Sequence, residues 1–136
     1  MLDRKGAKME TGIKGYQELI VTEDITASAM GSGSIEVYGT PAMILLIEET
    51  AKKSVAPELE DGDGTVGTEL NIKHLSATPV GMKVWCETEL IEVDGRRLLF
   101  NAVVYDECGK IGEGTHERFI VNNKKFHEKT YSKLEK

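Results

Sequence analysis

A chain of 136 residues, 40% hydrophobic and 29% charged, is long enough for one domain with a real core. Seventeen basic residues against 23 acidic ones leave a formal net charge of −6. That is the wrong balance for a general nucleic-acid binder, whose affinity rests on neutralising phosphates, although a small anionic ligand needs only a few local cations.

The first residues, MLDRKGAKMETGIKG, scatter charge throughout and contain no signal-peptide core. The longest apolar run, Ala42 to Ile47, is far too short for a membrane span. Cys86 and Cys108 lack CxxC spacing, so free thiols and a cytoplasmic protein are expected.

In chain order, residues 1–15 read as a loose arm leading into a strand near 17–25. "ASAMGSGS" at 27–34 has the composition of a flexible loop and lacks the glycine spacing of a dinucleotide loop. A short strand is predicted at Ile35–Tyr38. Thr40 then reads as a helix N-cap and Pro41 as the first helical residue. Ala42, Met43, Leu46, Ile47, Ala51 and Val55 keep a 3.6-residue spacing, so the helix runs to about Val55 and stops before Pro57. "ELEDGDGT" at 58–65 is turn-rich; its Asp61 and Asp63 lack the later ligands of a calcium loop. Four strands follow, near 65–76, 82–93, 97–106 and 110–121, with Asp94-Gly95 marking a tight hairpin and Asp106–Gly109 a second turn. The Lys- and Glu-rich tail, 122–136, reads as a short helix or a frayed end. The layout is α+β: a curved antiparallel sheet wrapped around one long central helix, in the manner of the hotdog fold.

Strict alternation along 65–76 puts Val66, Thr68, Leu70, Ile72 and His74 on the face towards the helix, and Gly67, Glu69, Asn71, Lys73 and Leu75 on the other. His74 therefore ends the core-facing row, either as a backbone-bonded edge histidine or as a catalytic group. Glu48 flanks the apolar stripe of the helix, and Glu49 lies about 100° further round. A Glu48 facing inward needs a histidine or a substrate to compensate it. Thr40 is simply a cap or else supplies a hydroxyl to the site, but it stands about 12 Å along the helix axis from Glu48. His116 and Arg118 share one face of the last strand, opposite Glu117, and read either as surface ion-pair partners or as anchors for an anionic group. His127 falls in the polar tail.

"GTPAMILLIEETA", "GTVGTELNIKHLSATPVG", "VDGRRLLF" and "IGEGTHERFIV" together resemble the fluoroacetyl-CoA thioesterase family of the hotdog superfamily, over roughly residues 35–121. The resemblance implies an acyl-CoA thioesterase with Thr40, Glu48 and His74 as the catalytic set. It further implies Gly67 as a backbone donor to the thioester carbonyl and Arg118 as a substrate-binding residue. It also implies a homodimer with sites beside the interface, open to further pairing, and neither metal nor cofactor beyond the CoA of the substrate. Whether Thr40 attacks with His74 as base, or Glu48 attacks or activates water, stays open. Arg96, Arg97, Lys124 and Lys125 are the cations available to CoA phosphates. The fluoroacetate-specific member carries phenylalanines in a lid before its threonine; here Gly31 and Ser34 stand in "MGSGSIEV". A short or medium acyl-CoA, without strong fluoroacetyl selectivity, is thus expected. A non-catalytic acyl-CoA binding module is the alternative. A hotdog hydratase ranks last, since no Asp–His pair precedes Thr40.

Overall fold

The computed structural model describes residues 9–135. Five antiparallel strands form one sheet: β1 (Lys14–Ile20), β2 (Asp63–His74), β3 (Lys83–Asp94), β4 (Arg97–Asp106) and β5 (Gly109–Asn122), in the order β1-β3-β4-β5-β2. A one-turn helix α1 (Ala27–Met30), the long helix α2 (Thr40–Val55) and a C-terminal helix α3 (Asn123–Tyr131) complete the regular elements, with short 3-10 turns between. Among the described residues no helix is long and apolar enough to cross a membrane.

The long helix lies in the curve of the sheet. Met43, Leu46, Ile47, Ala51 and Val55 are fully buried against β2, β3, β4 and their neighbours, split between two clusters along the helix. Each large apolar side chain removed from water this way contributes roughly 2 kcal/mol. Leu45 remains about half exposed, so the helix start is less enclosed than its composition suggests.

Several boundaries move. The first strand is Lys14–Ile20, not 17–25, because Glu23–Ile25 form a 3-10 turn. The arm is docked from Met9 onward: Met9 and Ile13 pack on the second cluster, and the backbone of 12–13 bonds to Leu90. Its first eight residues lie outside the described part. "ASAM" is helical rather than loop, capped by the Thr26 hydroxyl and closed by Gly31 in the left-handed region (φ 79°). Ile35–Tyr38 makes only isolated bridges, Val37 to Pro79 and Tyr38 to Thr26, instead of a strand. Thr40 is the first helical residue and Gly39 the cap, with no side-chain capping bond, which leaves the Thr40 hydroxyl free for another partner. Both hairpins form as predicted, around Gly95–Arg96 and Glu107–Cys108. Cys86 is a buried free thiol, pushed up to about 12 chiefly by burial, and Cys108 an exposed one.

The largest departure is in β2. Gly67 pairs with Arg118 and Glu69 with Glu117, so Thr68 is an extra residue in a bulge. Leu70, Ile72 and His74 face the helix as the alternation requires. Before the bulge the parity reverses: Thr65 and Gly67 turn inward, while Thr68 turns outward and bonds Glu117 at 2.7 Å.

Candidate active site

Two groups of functional side chains are built on opposite ends of β2. At its C-terminal end, His74 Nδ1 lies 2.7 Å from Thr40 Oγ1, a bond between the last residue of the strand and the first of the long helix. Burial pulls the imidazole below its ordinary value of 6.5, with the Ser76 backbone opposing, so the ring is neutral at neutral pH. A neutral ring accepting the threonine proton at Nδ1 carries its own proton on Nε2, which is buried without a partner. The Tyr38 ring stands edge-on to the imidazole, its centroid 6.5 Å away, and fixes the ring laterally. The pair sits in a cleft of about 310 Å³, walled by Ala27, Ser32 and Val37 on one side and by Leu75–Ala77 on the other.

Nearer the start of β2 lies the second group. A Cβ placed on Gly67 would be 2.7 Å from Glu48 Oε2, 3.3 Å from Arg118 Nη1 and 3.3 Å from His116 Cε1. Glycine is thus what lets the Glu48 carboxylate lie against the strand. Arg118, almost fully buried, is held by three bonds: Nε to Thr65 Oγ1 (2.8 Å), Nη2 to the Thr65 carbonyl (2.8 Å) and Nη1 to His116 Nε2 (3.1 Å). His116 is wholly buried, and its Nδ1 donates to the Glu69 carbonyl at 2.9 Å, which leaves Nε2 as the acceptor Arg118 needs. Burial, and then Arg118, lower the His116 pKa, keeping the ring neutral in that role. Burial likewise lowers the Arg118 pKa, and the Glu48 charge opposes it.

His116 and Arg118 are therefore a buried, fully directed pair, not a solvated strand face. Thr65 gave no sequence signal, because the bulge reverses its parity. Within one chain, Thr40 and His74 meet, and Glu48, Gly67 and Arg118 meet, but the two groups do not. Glu49 accepts a bond from Gln17 (3.0 Å) and takes no part in either group. Arg97 is bound by Glu117 (2.6 Å) and Glu92 (2.9 Å), which removes it from the cations available to a ligand. His127 stacks on Tyr131 at the exposed face of α3.

The chain has relatives of known family and structure. The family model described as FlK, fluoroacetyl-CoA-specific thioesterase, matches residues 21–124. The chain belongs to that family. It is 40% identical over 98 residues to the fluoroacetyl-CoA thioesterase of Streptantibioticus cattleyicolor, covering 72% of this chain and 70% of the relative. A solved structure of a phenylalanine-to-alanine mutant of the fluoroacetyl-CoA-specific thioesterase, in complex with fluoroacetate and CoA, superposes with a TM-score of 0.82 at 33% identity, over 87% of this chain and 99% of the other. A thioesterase-superfamily member from Thermus thermophilus superposes with a TM-score of 0.85 at 27% identity, covering 94% of each chain. The five-stranded sheet around one long helix is the hotdog fold of this thioesterase family, and the chain is a thioester hydrolase.

Proposed function

We propose that the protein hydrolyses short or medium acyl-CoA thioesters, without strong preference for fluoroacetyl-CoA, through Thr40, His74 and Glu48. The observation that carries this reading is the 2.7 Å contact between the Thr40 hydroxyl and a neutral, half-buried imidazole at an open cleft. His74 accepts the hydroxyl proton as Thr40 Oγ attacks the thioester carbon. The C–S bond breaks and the CoA thiolate takes that proton from the imidazolium, leaving an acyl-threonine ester. Glu48 then draws a proton from the water that attacks the ester carbon; the C–O bond to Thr40 breaks, the Thr40 oxygen takes that proton back from Glu48, and the acid is released. A backbone N–H at Gly67, beside the Arg118 guanidinium, stabilises the charge on the carbonyl oxygen.

These steps need both groups in one place, and a second copy of the chain supplies that. The outer edge of β2 pairs with no other strand among the described residues. An unpaired edge of 12 residues is a ready template for a symmetric antiparallel partner, as in a homodimer. Antiparallel pairing sets the His74 end of one strand beside the Gly67 end of the other, giving two equivalent sites.

The breadth of acyl group accepted follows from the cleft wall. The 27–37 segment contributes Ala27, Ser32 and Val37, and no aromatic ring from it closes over Thr40. A panel of acyl-CoAs of increasing length, with fluoroacetyl-CoA beside acetyl-CoA, read by release of free thiol, tests this. The expected result is turnover of several short and medium chains, with fluoroacetyl-CoA within about tenfold of acetyl-CoA, a difference of about 1.4 kcal/mol in the barrier. Binding without turnover on every chain would replace the enzyme with a binding module.

The pH profile follows from the base. His74 works only when neutral, and its pKa lies below 6.5 in the folded chain. Activity is therefore lost on the acid side as the ring takes up a proton, with the midpoint of that limb below 6.5. A kcat profile whose acid limb has its midpoint at or above 6.5 contradicts His74 as the base.

A further inference from the structure

Beyond β5, the face of α3 meets the β3–β4 hairpin in a groove that the catalytic chemistry does not use. Two adjoining hollows, of about 370 and 570 Å³, share Phe126 and Lys129. Their charged walls are Arg96, Lys125, Lys129 and Lys133, and no Asp or Glu lines either hollow. In a chain of net charge −6 that is a local reversal of sign. None of the four cations is in an ion pair among the described residues, whereas Lys83, Arg97 and Lys110 each are. Arg96 Nη1 donates to the Ile120 carbonyl (3.2 Å), which fixes its guanidinium at the rim. Phe126 is 44% exposed, with an aromatic face beside these charges.

We infer that this groove binds the 3′-phosphorylated ADP end of the CoA substrate. An unpaired cationic rim suits phosphate groups, and an exposed ring beside it suits a purine. The position fits as well. Ile120, on the groove floor, lies two residues past Arg118 on β5, about 7 Å along the strand from the Glu48 group. The pantetheine arm then spans from the thioester to the groove. The inference rests on the acyl-CoA reading above, and the two fail separately.

The experiment compares one acyl group carried by CoA and by pantetheine, in the wild type and in the double variant Lys125→Glu/Lys129→Glu. Calorimetric titration of both proteins with 3′,5′-ADP accompanies it. Wild type should prefer acyl-CoA over acyl-pantetheine at least tenfold in kcat/KM and bind 3′,5′-ADP; the variant should lose both the preference and the binding. A Phe126→Ala protein, with its charges intact, should show a weaker loss of both. A preference for CoA that survives the charge reversal, or wild type that does not bind 3′,5′-ADP, overturns the groove. A change of oligomeric state in the variant with nucleotide binding retained makes the groove a contact between chains, and also overturns it. If neither thioester is hydrolysed but 3′,5′-ADP binds and the variant abolishes that, the groove stands and the hydrolase reading falls.

Discussion

Replacing His74 with alanine lowers kcat at least ~100-fold, the usual size of a general-base contribution. The imidazole has one hydrogen-bonding partner that matters for chemistry, the Thr40 hydroxyl at 2.7 Å, and no second base of the same chain lines that cleft. The fold should survive the change. His74 ends its strand and is half-buried, and its Nε2 is a buried polar atom without a partner, so its removal relieves one cost while it opens a small cavity. Thermal unfolding measured beside the kinetics separates a lost base from a lost fold. A His74→Ala protein that melts like wild type and turns over at a similar rate rules out the assigned role.

Two inactive variants, Thr40→Ala and Glu48→Gln, should restore activity when their chains are mixed into common dimers. Each homodimer lacks one essential group in both of its sites. In the dimer proposed above, the strand-end pair comes from one chain and Glu48 from its partner, so a mixed dimer should have one site lacking both groups and one lacking neither. Random reassortment of equal amounts makes half of the dimers mixed, each with one working site of two, so about a quarter of wild-type activity returns. Co-expression with two affinity tags, followed by assay of the purified doubly tagged species, should give about half of wild-type activity, since every dimer in it is mixed. No recovery in verified mixed dimers places all three groups within one chain, and that would require β2 or α2 to rearrange.

Periodicity carried the architecture, while the choice of Thr40, Glu48 and His74 came from the family resemblance. The 3.6-residue rhythm from Ala42 to Val55 needs no tertiary information, because burial against a sheet demands that stripe of any helix. The last three strands follow from alternation and two turn signals. The same reasoning placed His74, Ile72 and Leu70 on the inner face, but it misplaced Val66, Thr68 and Gly67. Alternation presumes an unbroken ladder, and no composition rule announces a bulge between Gly67 and Glu69. Local sequence leaves the Thr40 hydroxyl between a helix cap and a group of the site, and the family resemblance alone favours the site. The contact with a strand 34 residues later shows where the hydroxyl goes instead of capping. The paired roles of His116 and Arg118 were equally invisible, since burial decides whether such residues are surface charges or a directed cluster.

The bulge at Thr68 has a consequence for symmetry. Gly67 and His74 are seven residues apart, an odd interval, so in an uninterrupted strand they would point to opposite sides. With Thr68 looped out they share one side, and the interval counts as six. Set two copies of β2 antiparallel with the two-fold axis at Asn71. Leu70 then faces the partner's Ile72, Glu69 faces the partner's Lys73 with opposite charge, and, once Thr68 is skipped, Gly67 faces the partner's His74. In the proposed homodimer, one inserted residue would thus convert a mismatched pair of half-sites into a register in which each completes the other.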